Sequence, residues 1–224
     1  MVSPYLRTWG IYLVLVQLTP AIAAQPQRDS TRWQADIDQF LVADQEHPTA
    51  QGGVVFVGSS SIRMWDLGQS FPGQGYLNRG FGGSEIVDST HYFAELVGKH
   101  QPGVVVFYAG DNDLAAGNSA EQALADFRSF VRKFKLELSD SRLLLIAIKP
   151  SIARWNLADT LRQANALIAA DCATDDKLTF VDVWPVMLGA DGQPRADIFL
   201  EDGLHMNAAG YKLWVELITP LLKE

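Results

Sequence analysis

Apolar residues along the chain fall into two kinds of run. Short unbroken stretches at residues 54–57, 104–108 and 143–148 have the length and composition of strands covered on both faces, and residues 178–183 read as a further strand. A weaker stretch lies at 76–78. Between them, apolar positions recur every three or four residues. Ile86, Phe93, Leu96 and Val97 form one set; Ala123, Phe127, Phe130, Val131, Phe134 and Leu138 a second; Leu157, Leu161, Ala164, Ile168 and Cys172 a third; and residues 208–222 a fourth. Such spacing lays an apolar stripe along a helix. Ahead of the first strand, Trp33, Ile37, Phe40 and Leu41 mark a helix over about residues 30–44, capped by Asp29 or Ser30 and ended at His47-Pro48. Strands alternating with helices predict an α/β protein: a mainly parallel sheet of about five strands, right-handed crossovers, and helices on both faces in three layers, α/β/α.

The first 24 residues read as a separate unit. Arg7 precedes an apolar run from Ile11 to Leu18, Pro20 interrupts it, and Ala21-Ile22-Ala23 offers a small-x-small cleavage site. This is the pattern of a secretory signal peptide, too short and too broken for a lasting membrane span. The expectation is an exported protein, periplasmic or secreted, with residues 25–224 as one domain.

Composition narrows the function. A formal charge of −8 lacks the basic surface that phosphate contacts require, so nucleic acid is not an expected partner. The single cysteine, Cys172, excludes an internal disulfide and lies on an apolar stripe, as a buried inert thiol does. His47, His91 and His100 lack metal-ligand spacing, and Asp111 and Asp113 lack the remaining ligands of an EF-hand, so no metal or other cofactor is expected.

The residues capable of chemistry fall on one rim. Parallel sheets place their sites at the carboxyl ends of the strands. Gly58-Ser59-Ser60 follows one strand, Gly110-Asp111-Asn112-Asp113 follows another, and Asp202-Gly203-Leu204-His205 comes after the last strand. A serine hydroxyl needs a base to take its proton, and the base needs a carboxylate to orient it. His205 and Asp202 supply both from one short loop. The oxyanion formed on attack needs fixed donors. The backbone of the nucleophile, the glycine turn Gly80-Phe81-Gly82-Gly83 and the amide of Asn112 are candidates. Each motif alone reads equally well as a turn or cap; their order along one rim points to catalysis.

Together these segments resemble the SGNH (GDSL-type) esterase and lipase family, over nearly all of the expected mature chain, roughly from Val54 to Leu222. The resemblance implies a flavodoxin-like sandwich and metal-independent ester hydrolysis. It also implies Ser60 as nucleophile, with Ser59 and Ser61 as alternates. The backbone oxyanion donor falls on Gly83, with Gly82 as its neighbour. Asn112 becomes the side-chain oxyanion donor, and Asp202 and His205 complete a triad. One departure stands out: the family's Gly-Asp-Ser is Gly58-Ser59-Ser60 here.

Trp65, Tyr108, Arg154 and Trp155 lie near predicted strand ends, where they would line a substrate pocket or pack the rim. Short loops with no lid suggest small or soluble esters. The alternatives are an O-acyltransferase or deacetylase on polysaccharide, a lysophospholipase or thioesterase, and a non-catalytic carbohydrate binder.

Overall fold

Five strands pair into a single all-parallel sheet in the order β2-β1-β3-β4-β5: β1 (Val54–Gly58), β2 (Leu77–Gly80), β3 (Val104–Tyr108), β4 (Arg142–Ile146) and β5 (Leu178–Val181). The computed structural model describes residues 28–223; the leader read in residues 1–24 lies outside the described residues. The helices that matter for the site are α1 (Gln34–Glu46), α2 (Ser60–Arg63), α3 (Ile86–His91), α4 (Asp111–Ala115), α5 (Ala120–Glu137), α6 (Ala158–Cys172) and α7 (Ala208–Ile218). No described helix is long and apolar enough to cross a membrane.

Consecutive strand residues face opposite sides of a sheet, and β3 makes this explicit. Phe107 stacks on Phe130 of α5, with ring centroids 4.0 Å apart. Tyr108 packs on Trp214 of α7 at 5.1 Å. Helices therefore cover both faces, as the apolar runs predicted, and all five residues of β3 are buried. One apolar half is built from Phe93, Phe127, Phe130 and Phe134; the other from Phe56, Trp65, Phe71 and Trp214.

Where elements differ from the sequence expectation, a side chain explains the difference. Strand β4 ends at Ile146 rather than at 148. Asn165 of α6 takes over the ladder, accepting from the Ile148 N–H and donating to the Ile148 carbonyl, both at 2.8 Å. The helix expected through Ile86 and Val97 is split at Tyr92, whose hydroxyl donates to Gln34 of α1. Phe93 and Leu96 continue in a second short helix (Phe93–Leu96). The closing helix stops at Ile218 because Pro220 has no N–H for a further α-turn. Asp29 does cap the N-terminal element, but the cap opens a 3-10 turn (Ser30–Trp33) that leads into α1.

A 2-1-3-4-5 strand order reverses direction between β1 and β3, and ligand sites in such sheets lie at that reversal. The segments after these two strands carry Ser60 and Asn112.

Candidate active site

Ser60 is the first residue of α2, directly after β1. Gly58 makes this approach possible. Its φ is +137°, and a Cβ there would stand 1.9 Å from the Tyr108 carbonyl oxygen. With no side chain in the way, the next N–H, from Ser59, donates to that same carbonyl at 3.0 Å. The turn is thereby pinned to β3.

The loop carrying Asp202 and His205 folds on itself. Asp202 Oδ1 accepts from the backbone N–H groups of Leu204 and His205, both at 2.9 Å. Asp202 Oδ2 lies 2.6 Å from His205 Nδ1, and His205 Nε2 lies 3.0 Å from Ser60 Oγ. A carboxylate oxygen can only accept, so Nδ1 carries the proton and Nε2 is left to accept from the serine. The bond from His205, followed by the two N–H groups, holds the Asp202 carboxyl down at about 2. Two segments distant in sequence thus form one chain of hydrogen bonds. Asn207, two residues on, caps α7 by accepting from the Ala209 and Gly210 N–H groups.

Asn112 lies in the first turn of α4. Its Nδ2 donates to the Ser84 carbonyl at 2.9 Å, and its Oδ1 accepts from Arg154 at 2.8 Å. One amide hydrogen remains free. Gly83 adjoins it: a Cβ on Gly83 would find Asn112 Nδ2 as its nearest neighbour, at 3.8 Å. Gly82 has another task, since a Cβ there would collide with the Trp33 ring at 2.0 Å. The backbone N–H groups of Ser60 and Gly83 have no partner among the described residues. Asp113 accepts from the Ile86 N–H at 3.2 Å, which ties the asparagine turn to α3.

Of the residues expected to line a pocket or pack the rim, two are buried in packing. Tyr108 is fully buried; its ring meets Trp214 and its hydroxyl accepts from Lys149 at 3.2 Å. The closing helix α7 covers it, and it packs in the core. Trp65 is 2% exposed among Phe56, Phe71, Tyr211 and Trp214. Its edge borders a cavity of about 420 Å³ whose lining includes neither Ser60 nor His205. Trp155 is half-buried against Trp184, with Arg162 over both rings. Arg154 faces Asn112 and Asp111.

The alternates for the nucleophile are buried. Ser59 is 0% and Ser61 1% exposed, whereas Ser60 is half-buried and bonded to His205. Lys149 was not among the residues singled out from the sequence. Lys149 is 1% exposed and bonded to Asp111 at 3.1 Å. A lysine closing an otherwise apolar run, one strand away from a Gly-Asp-Asn turn, was the available signal.

The profile of the GDSL-like lipase/acylhydrolase family matches residues 58–213, and the chain belongs to that family of ester hydrolases. The fold is similar to that of a proposed acylhydrolase from Bacteroides fragilis (24% identity, TM-score 0.73, covering 84% of this chain and 96% of that one). It is similar to a GDSL-like lipase from Bacteroides thetaiotaomicron (21%, TM-score 0.68, 87% and 97%). It is also similar to a family 3 carbohydrate esterase from Talaromyces cellulolyticus (18%, TM-score 0.61, 77% and 97%). No curated protein matches the sequence.

Proposed function

We propose that this protein is an exported serine ester hydrolase working through a Ser60–His205–Asp202 triad. The observation that carries the reading is the continuous chain from Ser60 Oγ through both nitrogens of His205 to Asp202, with links of 3.0 and 2.6 Å. His205 takes the serine proton as Ser60 attacks an ester carbonyl, and Asp202 stabilises the imidazolium that results. The oxyanion is received by the backbone N–H groups of Ser60 and Gly83 and by the free amide hydrogen of Asn112. The alcohol leaves with the proton from His205. Water, activated by the same imidazole, then releases the acid.

Export rests on the signal-like residues 1–24. The short loops around the rim favour small or soluble esters. A non-catalytic binder on this scaffold has no use for a serine bonded to an oriented histidine.

The test is hydrolysis of a short-chain p-nitrophenyl ester by the purified protein and by Ser60→Ala. The variant is expected to lose roughly 10³- to 10⁶-fold in rate and to stop reacting with a fluorophosphonate probe. Equal rates would end the proposal. Products formed in the presence of a sugar acceptor separate hydrolysis, which yields free acid, from transfer, which yields acylated sugar.

A further inference from the structure

Below Asn112 lies a buried group of charges that the triad does not use. Lys149, 1% exposed, donates to Asp111 Oδ2 at 3.1 Å and to the Tyr108 hydroxyl at 3.2 Å. Asp111, 4% exposed, also meets Arg154 Nη1 at 3.0 Å. The other arm of the Arg154 fork, Nη2, donates to Asn112 Oδ1 at 2.8 Å. Burying Lys149 and Asp111 is costly unless they are well paired and hydrogen-bonded, and Arg154, its side chain 18% exposed, adds a second cation beside Asp111.

We infer that Arg154 is a positioning residue for the oxyanion hole, acting on the reaction through the side chain of Asn112. The inference rests on the reading of Asn112 as an oxyanion donor. An asparagine amide is symmetric in shape, and its use as a donor depends on which end faces the substrate. With Oδ1 held by a guanidinium and Nδ2 held by the Ser84 carbonyl, only one orientation satisfies both neighbours. A flipped amide would set NH₂ against Arg154 and Oδ1 against a carbonyl oxygen. The charged bond at Oδ1 also draws electron density from the amide, which strengthens its remaining N–H as a donor.

Asp111 holds the fork. Burial would raise its carboxyl, but Lys149 and Arg154 outweigh that and keep it below the usual carboxylate range. The two cations outnumber the one carboxylate beside the amide that is read as facing the forming oxyanion. Arginine suits this place: Nη2 donates to Asn112 while Nη1 pairs with Asp111 by charge at 3.0 Å without an aligned hydrogen bond, and a single compact ammonium cannot reach both in this way. The Arg154 loop is registered to the histidine loop as well, because the Ala153 N–H donates to the Gly203 carbonyl at 3.0 Å.

The experiment is a double-mutant cycle on ester hydrolysis with Arg154→Met, Asn112→Ala and the pair. Arg154→Met should lower kcat by about 10- to 100-fold with KM nearly unchanged, the mark of an interaction made in the transition state. In the Asn112→Ala background the same change should cost little more, since the group it acts through is gone. Guanidinium ion added to Arg154→Ala should restore part of the lost kcat, an effect that a merely structural role does not give. Arg154→Lys, which keeps the charge and the fold, should recover only part of the rate.

Multiplicative losses in the pair, or a loss confined to KM, would overturn the inference and leave Asn112 as donor intact. An Asn112→Ala enzyme as fast as the wild type would overturn the donor reading, and this inference with it.

Discussion

The indole of Trp33 occupies the space that a side chain on Gly82 would need. A Cβ there would lie 2.0 Å from the ring, and the backbone at Gly82 already has a φ of +34°. Trp33 is fixed in turn by Asp88, which accepts from its indole N–H at 3.0 Å and from Ser30 and Arg32 as well. The segment ahead of α1 is thus clamped onto the loop that carries Gly83.

From this contact, Gly82→Ala should destabilise the protein by about 1–3 kcal/mol, the usual cost of overpacking, and reduce activity at the neighbouring Gly83. Adding Trp33→Ala should relieve part of that cost, so the double variant is more stable than the two single losses imply. Urea unfolding of the four proteins measures it; strict additivity would sever the link.

Asp202 should matter through orientation. Its carboxyl, held down at about 2 by His205 and then by two backbone N–H groups, favours folding at all pH values above the unfolded value of about 3.9. That contribution is lost only as the pH falls through about 2, so Asp202 does not set an acid limb near neutrality. Asp202→Asn would present an NH₂ to Nδ1 and impose the wrong tautomer on the ring. An expected fall in kcat of about 10⁴-fold, with the fold retained, is read directly from ester turnover and circular dichroism. A fall of less than tenfold would remove Asp202 from the triad.

Asp113 behaves in the opposite sense. Burial, with Glu85 adding to it, raises this carboxyl to about 7 against the pull of the Ile86 N–H and Arg28. The folded protein therefore keeps a proton that the unfolded chain gives up near 3.9. Its contribution is fully present at the lower value and drains away as the pH rises to about 7. Asp113→Asn keeps an acceptor for Ile86 and removes the titration. Across that interval the wild type should lose stability relative to the variant, measured as urea midpoints. Parallel profiles would contradict the assignment.

Ser59 stands where the family carries aspartate. Its hydroxyl is buried and has no hydrogen-bond partner among the described residues. Ser59→Ala should be neutral or stabilising by up to about 1 kcal/mol, since an unsatisfied group is removed. Ser59→Asp should cost more than about 3 kcal/mol, because it buries an unpaired charge. Thermal melts distinguish the two, and a stable Ser59→Asp protein would reveal a partner for the carboxylate.

Much of this was legible in one dimension. The five strands, the flanking helices and the parallel sheet follow from apolar periodicity, which is a local property. Asp202 and His205 were legible because three residues of one loop bring them together. Ser60 was legible by its place after β1, although Ser59 and Ser61 were excluded only by their burial. For Tyr108 and Trp65 the sequence left two roles open, pocket lining or packing, for a related reason. A residue near a strand end can face solvent or core, and the choice depended on α7, which comes much later in the chain and packs on both.

By itself, the order of residues determined which segments become strands and helices, and that the reactive groups share one rim, because hydrogen-bonding period and chain direction act over neighbours. Only the tertiary structure decided that Ser60 Oγ meets His205 Nε2, that Gly83 rather than Gly82 adjoins Asn112, and that Lys149, Asp111 and Arg154 lie beneath that amide. Those relationships depend on distances between side chains from different crossovers, which are set by packing across the sheet and leave no periodic mark in the chain.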